Sequence, residues 1–316
     1  MTEPARPQVA VIGAGAAGLF TARHLLELGI GADVIERRAG LGGLWNPDDR
    51  FGGAYRSAHL ISSKHTTELP DFPMPAGFPD FPGRGHVLEY LRALAGQHDL
   101  ASHIGFGQQV ASAEPLADRG WRVRLDNGDE REYAALVIAT GHHWAPAEPD
   151  VSAASFGGTV LHAAAYQTPE MFTGRRVVVA GLGNTAVDIA VDAVYAGADV
   201  TLSVRSGSHV VPKYLFGQPT DRLGKDSPAM RVTHRFPPAA RAALDQRMIR
   251  TLGGRPERFG LPRPQHRLYD RQPLVNSALL YHLGHGDIRV KPPVAALEPS
   301  LVRFTDGSTL PADVMV

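Results

Sequence analysis

Short apolar runs followed by glycine turns occur twice along the chain. After each turn the apolar residues return with helical spacing. In the first case Val9 to Ile12 is an unbroken apolar run, which predicts a buried strand. Gly13, Gly15 and Gly18 follow it. Apolar positions at Leu19, Ala22, Leu25, Leu26 and Leu28 then predict a helix, ended by Gly29 and Gly31. "ADVIE" reads as the next strand and closes at Glu36. The second case is "RRVVVAGLGNTAVDIAVDAVYAGADVTLSVRSG". Val177 to Ala180 is its strand, Gly181, Gly183 and Ala186 its turn, and "DVTLSVR" its second strand. Between the two, "LDNGDEREYAALVIATG" predicts a hairpin feeding an apolar strand that ends in small residues, Ala139, Thr140 and Gly141.

The glycine spacing gives these elements a chemical meaning. In a G-x-G-x-x-G turn between strand and helix, one glycine makes the tight turn. The next lets the backbone approach a pyrophosphate, and the third lets helix and strand pack closely. The free N–H groups of the helix N-terminus then face the phosphates. Glu36 stands where a carboxylate accepts from ribose hydroxyls. The second copy differs at that point: Ser203, Arg205 and Ser206 replace the acid. A carboxylate repels a 2′-phosphate, whereas a guanidinium grips it. The first unit therefore suits the adenosine of FAD, and the second suits NADPH. In the second turn Asn184 and Thr185 lie beside the glycines, and Ala186 slightly widens the helix–strand contact. The expected fold is α/β, with two Rossmann-like dinucleotide-binding domains and hydride passing from nicotinamide to flavin.

Composition narrows the classes. The 316 residues suffice for two domains. Thirty-two basic residues balance 32 acidic ones, so nothing points to nucleic acid. There is no cysteine, which excludes disulfides, thiolate metal sites and dithiol redox chemistry within this chain. That is compatible with a cytoplasmic protein. No apolar run approaches the roughly 20 residues of a membrane span. The histidines have no metal-ligand spacing, and no metal is expected. The region from Val211 to Gln272 is rich in Arg and Pro, with a helix expected over "PPAARAALDQRMIRTL".

The linker "FGGTVLHAAAY" fits F-x-G-x-x-x-H-x-x-x-[FYW] through Phe156, Gly158, His162 and Tyr166. In this it resembles the fingerprint of the class B flavoprotein monooxygenases, that is, the flavin-containing monooxygenases and the Baeyer–Villiger enzymes. "GGLW", "DFPMP", "HVLEYL", "ATGHH", "GLGNTAVDIA" and "VRSGSHVVPK" are similar to the same family in the same order. Tyr166 followed by Gln167 is closer to the flavin-containing monooxygenases. The resemblance implies that Gly43, Leu44 and Trp45 lie on FAD. It implies that NADPH reduces FAD and that oxygen adds at flavin carbon 4a. The hydroperoxide then passes one oxygen atom to a small organic substrate, typically at a soft nitrogen or sulfur. His162 is a catalytic candidate, but a hinge-and-clamp role is the better fit, with Gly158 supplying an unusual backbone conformation. One departure stands out. The family's Asn falls at Ile61, with Ser62 and Ser63 beside it as substitute hydrogen-bond donors.

The domain expectation is a flavin domain over residues 1–155, an NADPH domain over 156–285, and a return to the flavin domain over 286–316. "FTDGSTLPADVMV" echoes the earlier hairpin and stops about where a second A-T-G-like ending should come. The chain is therefore expected to be truncated at its C-terminus. Rival readings are a Baeyer–Villiger monooxygenase, an NADPH:acceptor flavin reductase and a non-catalytic nucleotide-binding protein. Homo-oligomer formation is left open.

Overall fold

The computed structural model describes residues 8–47, 53–117, 119–143, 145–147, 155–226 and 236–316. These form two compact units. The first takes residues up to Ala54, Met74–Ala76 and Gly83–Pro146; the second takes Tyr55–Pro73, Gly77–Pro82 and everything from Ala147 onward.

In the first unit β1 (Gln8–Ile12), α1 (Ala16–Glu27) and β2 (Gly31–Glu36) form the expected βαβ unit. α1 buries Gly18, Leu19, Ala22 and Arg23. Leu28, expected on the apolar face, instead caps the helix and is exposed. Arg23 takes an inward place because its Nε can donate to Glu27 Oε1 one turn on, at 2.8 Å. Three short elements bring the chain back. They are the single helical turn α2 (Lys64–Thr67), which belongs to the second unit, α3 (Arg84–Gln97) and β3 (Ile104–Phe106). An antiparallel meander of β4 (Val110–Pro115), β5 (Trp121–Leu125) and β6 (Glu130–Tyr133) leads into β7 (Ala135–Ile138). The main sheet is parallel throughout, in the order β3-β2-β1-β7.

The second unit repeats this plan. β8 (Thr159–Val160) precedes β9 (Arg176–Ala180), α4 (Asn184–Tyr195) and β10 (Asp199–Ser203). β11 (Val210–Val211) later pairs with β14 (Leu274–Val275), and β12 (Tyr214–Leu215) pairs with β13 (Gln218–Pro219). α5 (Thr220–Asp226) and α6 (Pro238–Leu252) lie between, α6 being the helix expected in the Arg- and Pro-rich region. Then come α7 (Leu279–His285), β15 (Ile288–Lys291) and a second meander, β16 (Val294–Leu297), β17 (Leu301–Phe304) and β18 (Thr309–Pro311). β19 (Val314–Met315) completes the sheet, whose order is β15-β10-β9-β19-β8. Helix, edge strand, meander and final strand match α3, β3, β4–β6 and β7 one for one.

This corrects the expected boundaries. Residues 286–316 do not return to the first sheet: β15 pairs with β10, and β19 pairs with β9. β15 and β19 are strands of the second sheet and β16–β18 pair among themselves, so residues 286–316 belong to the second unit. The echo between the two hairpins is real, and each hairpin serves its own unit. Residues 55–73 also leave the first unit, held by side-chain bonds to α4 and α5 described below.

The junction of β9 and β19 is fastened electrostatically. Asp313 accepts from the Arg176 N–H at 2.8 Å and from its guanidinium at 2.5 and 3.0 Å. The Arg176 hydrogen bonds hold the Asp313 carboxyl down at about 2, against 3.8 ordinarily. A depressed acid favours the folded state only while ionised. Its contribution is present above pH ~4 and is lost as pH falls toward ~2. Asp313→Asn is expected to flatten the stability-against-pH curve in that window, measured by urea unfolding. An unchanged slope would remove the pair from acid sensitivity.

Among the described residues no helix is long and apolar enough to cross a membrane. In the same set no group of His, Asp and Glu could hold a metal ion.

Candidate functional site

The first glycine turn is closed on three sides by backbone. Gly13 has φ +107°, and a Cβ there would lie 2.6 Å from the Ala139 carbonyl oxygen. At Gly18 a Cβ would lie 1.8 Å from the Gly13 oxygen. Gly15 is different: its nearest neighbour would be Gly43 Cα at 3.6 Å, an ordinary contact. It caps α1 without any side-chain bond, so no side chain at the cap satisfies the first N–H groups of the helix. The turn is thus shut at Gly13 and Gly18, where the protein packs against itself, and less crowded at Gly15. Thr140 and Gly141 continue from Ala139 beside Gly13 and are exposed, with open space around Gly141.

Glu36 anchors this arrangement. It is buried, and its carboxylate accepts from Ala14 N–H at 2.7 Å and Arg38 N–H at 2.8 Å. Each oxygen retains a second lone pair for a ribose hydroxyl. The Gly-Gly-Leu-Trp loop is locked to the turn, since Gly42 N–H donates to the Ala14 carbonyl at 2.9 Å. Gly43, Leu44 and Trp45 form one 3₁₀ turn there, and Leu44 is exposed. An open cradle, an uncapped helix and an acceptor at the end of β2 fit the adenosine diphosphate part of FAD.

The second turn is looser. Gly181 has φ +125°, and a Cβ there would touch the Ala186 methyl at 3.4 Å. The methyl that Gly18 excludes is therefore accommodated here. Gly183 has nothing within 4 Å of a Cβ position and caps α4 without a side-chain bond. Thr185 is exposed in the first turn of α4. Asn184 serves the fold: its side chain donates to the Pro273 carbonyl at 3.4 Å and accepts from Val275 N–H at 2.9 Å. Arg205 and Ser206 follow β10 and are exposed. An open cradle with a cation at the strand end fits a dinucleotide carrying a 2′-phosphate.

The linker residues are members of the second unit. Phe156 packs on the core beneath the second meander. At Gly158 a Cβ would lie 2.5 Å from the Asp313 oxygen and 2.6 Å from the Phe156 ring. Its φ is not left-handed, so glycine is needed for space and not for the unusual conformation expected. β8 can then lie against β19. His162 is exposed and caps a 3₁₀ turn, its Nδ1 accepting from Ala164 N–H at 3.0 Å. That bond fixes the Nε2–H tautomer. Tyr166, only 1% exposed, stacks on Phe172 and donates to Asp192 Oδ2 at 2.6 Å.

Ser62 and Ser63 also lie in the second unit. The Ser62 hydroxyl shares a hydrogen bond with Thr67 Oγ1 at 2.7 Å. Ser63 is fully buried, and its N–H donates to Asp221 Oδ2 at 2.6 Å. Its Oγ has no partner.

The sequence reading passed over two carboxylates on α4. Asp188 accepts from Tyr55 OH at 2.6 Å and from the Asn276 side chain at 3.1 Å. Burial pushes the Asp188 carboxyl above its ordinary range and the Lys213 ammonium below its own. Burial, with the adjacent carboxylates, raises the Tyr55 and Tyr166 phenols. Asp192 accepts from both Ser57 and Tyr166. The signal was present: two acids spaced i, i+4 on an otherwise apolar helix share one face.

Two glycine cradles on a repeated α/β plan, joined by this linker, match one family's profile over residues 6–316. The chain belongs to the flavin-binding monooxygenase-like family. It is 32% identical over 325 residues to flavin-containing monooxygenase 5 of Cavia porcellus, covering 96% of this chain and 59% of that protein. It is 30% identical to indole-3-pyruvate monooxygenase YUCCA1 of Oryza sativa subsp. japonica, covering 98% of this chain and 75% of that one. The chain therefore spans about three-fifths of the length of the first of these relatives. Among solved structures, a flavin-containing monooxygenase from Stenotrophomonas maltophilia superposes with TM-score 0.71 at 22% identity, over 98% of this chain and 77% of that one. An open structure of cyclohexanone monooxygenase gives 0.73 at 21%, over 98% and 72%. At such identities these two structures show the fold that the family shares.

Proposed function

We propose that this family member is an NADPH- and FAD-dependent monooxygenase acting on a small organic substrate with a soft nitrogen or sulfur. The observation that carries the reading is the contrast between the strand ends. Each cradle could take a small side chain at its second glycine without a clash, but one ends in the fixed carboxylate of Glu36 and the other in the exposed cation Arg205. The first unit would hold FAD through Gly13, Gly15, Gly18, Glu36 and the Gly43–Trp45 turn. The second would hold NADPH through Gly181, Gly183, Thr185, Arg205 and Ser206. When bound, the two groups supply the hydride and the activation of O₂. This chain's part is to bind and orient them and to exclude water. The relatives named as monooxygenases support this reading.

Arg205→Ala tests it. Charge-assisted hydrogen bonds contribute ~1.5–3 kcal/mol, so NADPH should bind roughly 10- to 150-fold more weakly. NADH, which lacks the phosphate, should change much less. Equal losses for the two coenzymes would sink the assignment.

A further inference from the structure

The last turns of α6 and the 3₁₀ turn Pro256–Phe259 flank an open, solvent-facing hollow of about 680 Å³. Four arginines line it. Arg247 and Arg250 come from one face of α6, three residues apart. Arg255 and Arg258 come from the 3₁₀ turn, where residues three apart eclipse each other. Each flank thus contributes two arginines to the lining of one space.

The loop that carries the second pair is built firmly. Pro256 is buried, and left-handed glycines at 254 and 260 bracket the turn. Arg258 N–H donates to the Arg255 carbonyl at 3.0 Å. One carboxylate serves the cluster: Glu257 accepts from Arg250 at 2.8 Å. Burial works against its charge, but backbone and Arg250 hydrogen bonds hold it below its ordinary range. Among the described residues Arg247, Arg255 and Arg258 have no ion pair or side-chain hydrogen bond, and all three are exposed. Four guanidinium charges less one carboxylate leave three to be matched.

We propose that this hollow binds a polyphosphate group, meaning two or more linked phosphoryl units on a small molecule. A single phosphate carries too little charge for three free guanidinium groups and would fill little of the space. Ligand sites commonly measure ~300–1,000 Å³, which suits a nucleoside polyphosphate. Guanidinium forks match phosphate oxygens two at a time. None of the lining residues belongs to either glycine turn or to the strand end at Arg205, so the site is additional to the dinucleotide cradles and independent of the function proposed above.

The test is calorimetric titration of the full chain with inorganic pyrophosphate, ADP and adenosine, each with and without saturating NADP⁺. Pyrophosphate and ADP should bind near one per chain in the presence of NADP⁺, more weakly at higher salt, and adenosine should not bind. ADP tighter than pyrophosphate would identify a nucleotide ligand; equal affinities would identify the bare pyrophosphate group. Arg255→Gln with Arg258→Gln should lower affinity about 10-fold or more, the loss expected of one charge-assisted contact. Both positions are exposed, and thermal melts check that the variant folds. An affinity unchanged in the variant, whether or not NADP⁺ displaces the probe, or no pyrophosphate binding at low salt would each overturn the proposal.

Discussion

Gly18→Ala is expected to unfold the first unit or strip it of its glycine turn. The added methyl would lie 1.8 Å from the Gly13 carbonyl oxygen and 3.0 Å from its carbon. Both atoms are backbone, so no side chain can swing aside. Either α1 moves away from β1 or the Gly13 peptide turns over. Ordinary overpacking costs ~1–3 kcal/mol, and a backbone collision this close should exceed that range. Gly13 N–H donates to the Ile35 carbonyl, and Gly42 is bonded to Ala14, so the disturbance reaches β2 and the Gly43 loop. Gly183→Ala is the control. Its methyl meets nothing within 4 Å, so the protein should keep its urea midpoint and lose only affinity for a dinucleotide. A Gly18→Ala protein with wild-type midpoint and flavin content would show that the packing argument is wrong.

Asp192→Ala is expected to be the most damaging change on α4. Its carboxylate accepts from Ser57 and from Tyr166, whose ring is among the largest fully buried side chains. Removing the acceptor strands the phenol O–H inside the protein. Each buried hydrogen bond to such a group contributes ~1.5–3 kcal/mol, so a loss of ~2–5 kcal/mol is expected from urea unfolding. Tyr166→Phe alone should cost less, because it removes the donor together with its need for a partner. The double variant should be less destabilised than Asp192→Ala alone, because the stranded phenol O–H is gone. Additive losses would mean that the two side chains act independently.

What was legible in the sequence was the pair of glycine turns and the strand ends beside them. The glycine turns and strand ends sit at fixed offsets, because one strand, one turn and one helix determine them locally. Glu36 and Arg205 could therefore be located by counting. What was not legible depends on partners far along the chain. β19 is two residues long and carries no periodicity, so nothing local says that Val314 pairs with Val177. Residues 55–73 were assigned by position to the first unit, yet Tyr55, Ser57 and Ser63 are bonded to Asp188, Asp192 and Asp221. Gly158 was recognised from its pattern, but its reason was misjudged, since the obstacle is a carbonyl 155 residues later, at Asp313.

That last contact orders events in time. The backbone of the linker strand bonds to late residues: Gly157 to Pro299, Thr159 to Asp313 and Leu161 to Met315. Among the described residues, the strands of the first sheet have all been made by Ile138. The second holds β8 without a neighbour until Met315 appears, and loops of such length close slowly. During synthesis, which proceeds at ~5–20 residues per second, the β8 part of the fingerprint therefore waits unpaired for ~8–30 seconds, while Tyr166 at its far end can already pack on Phe172. The binding of β8 to the second sheet is the act that finishes that unit.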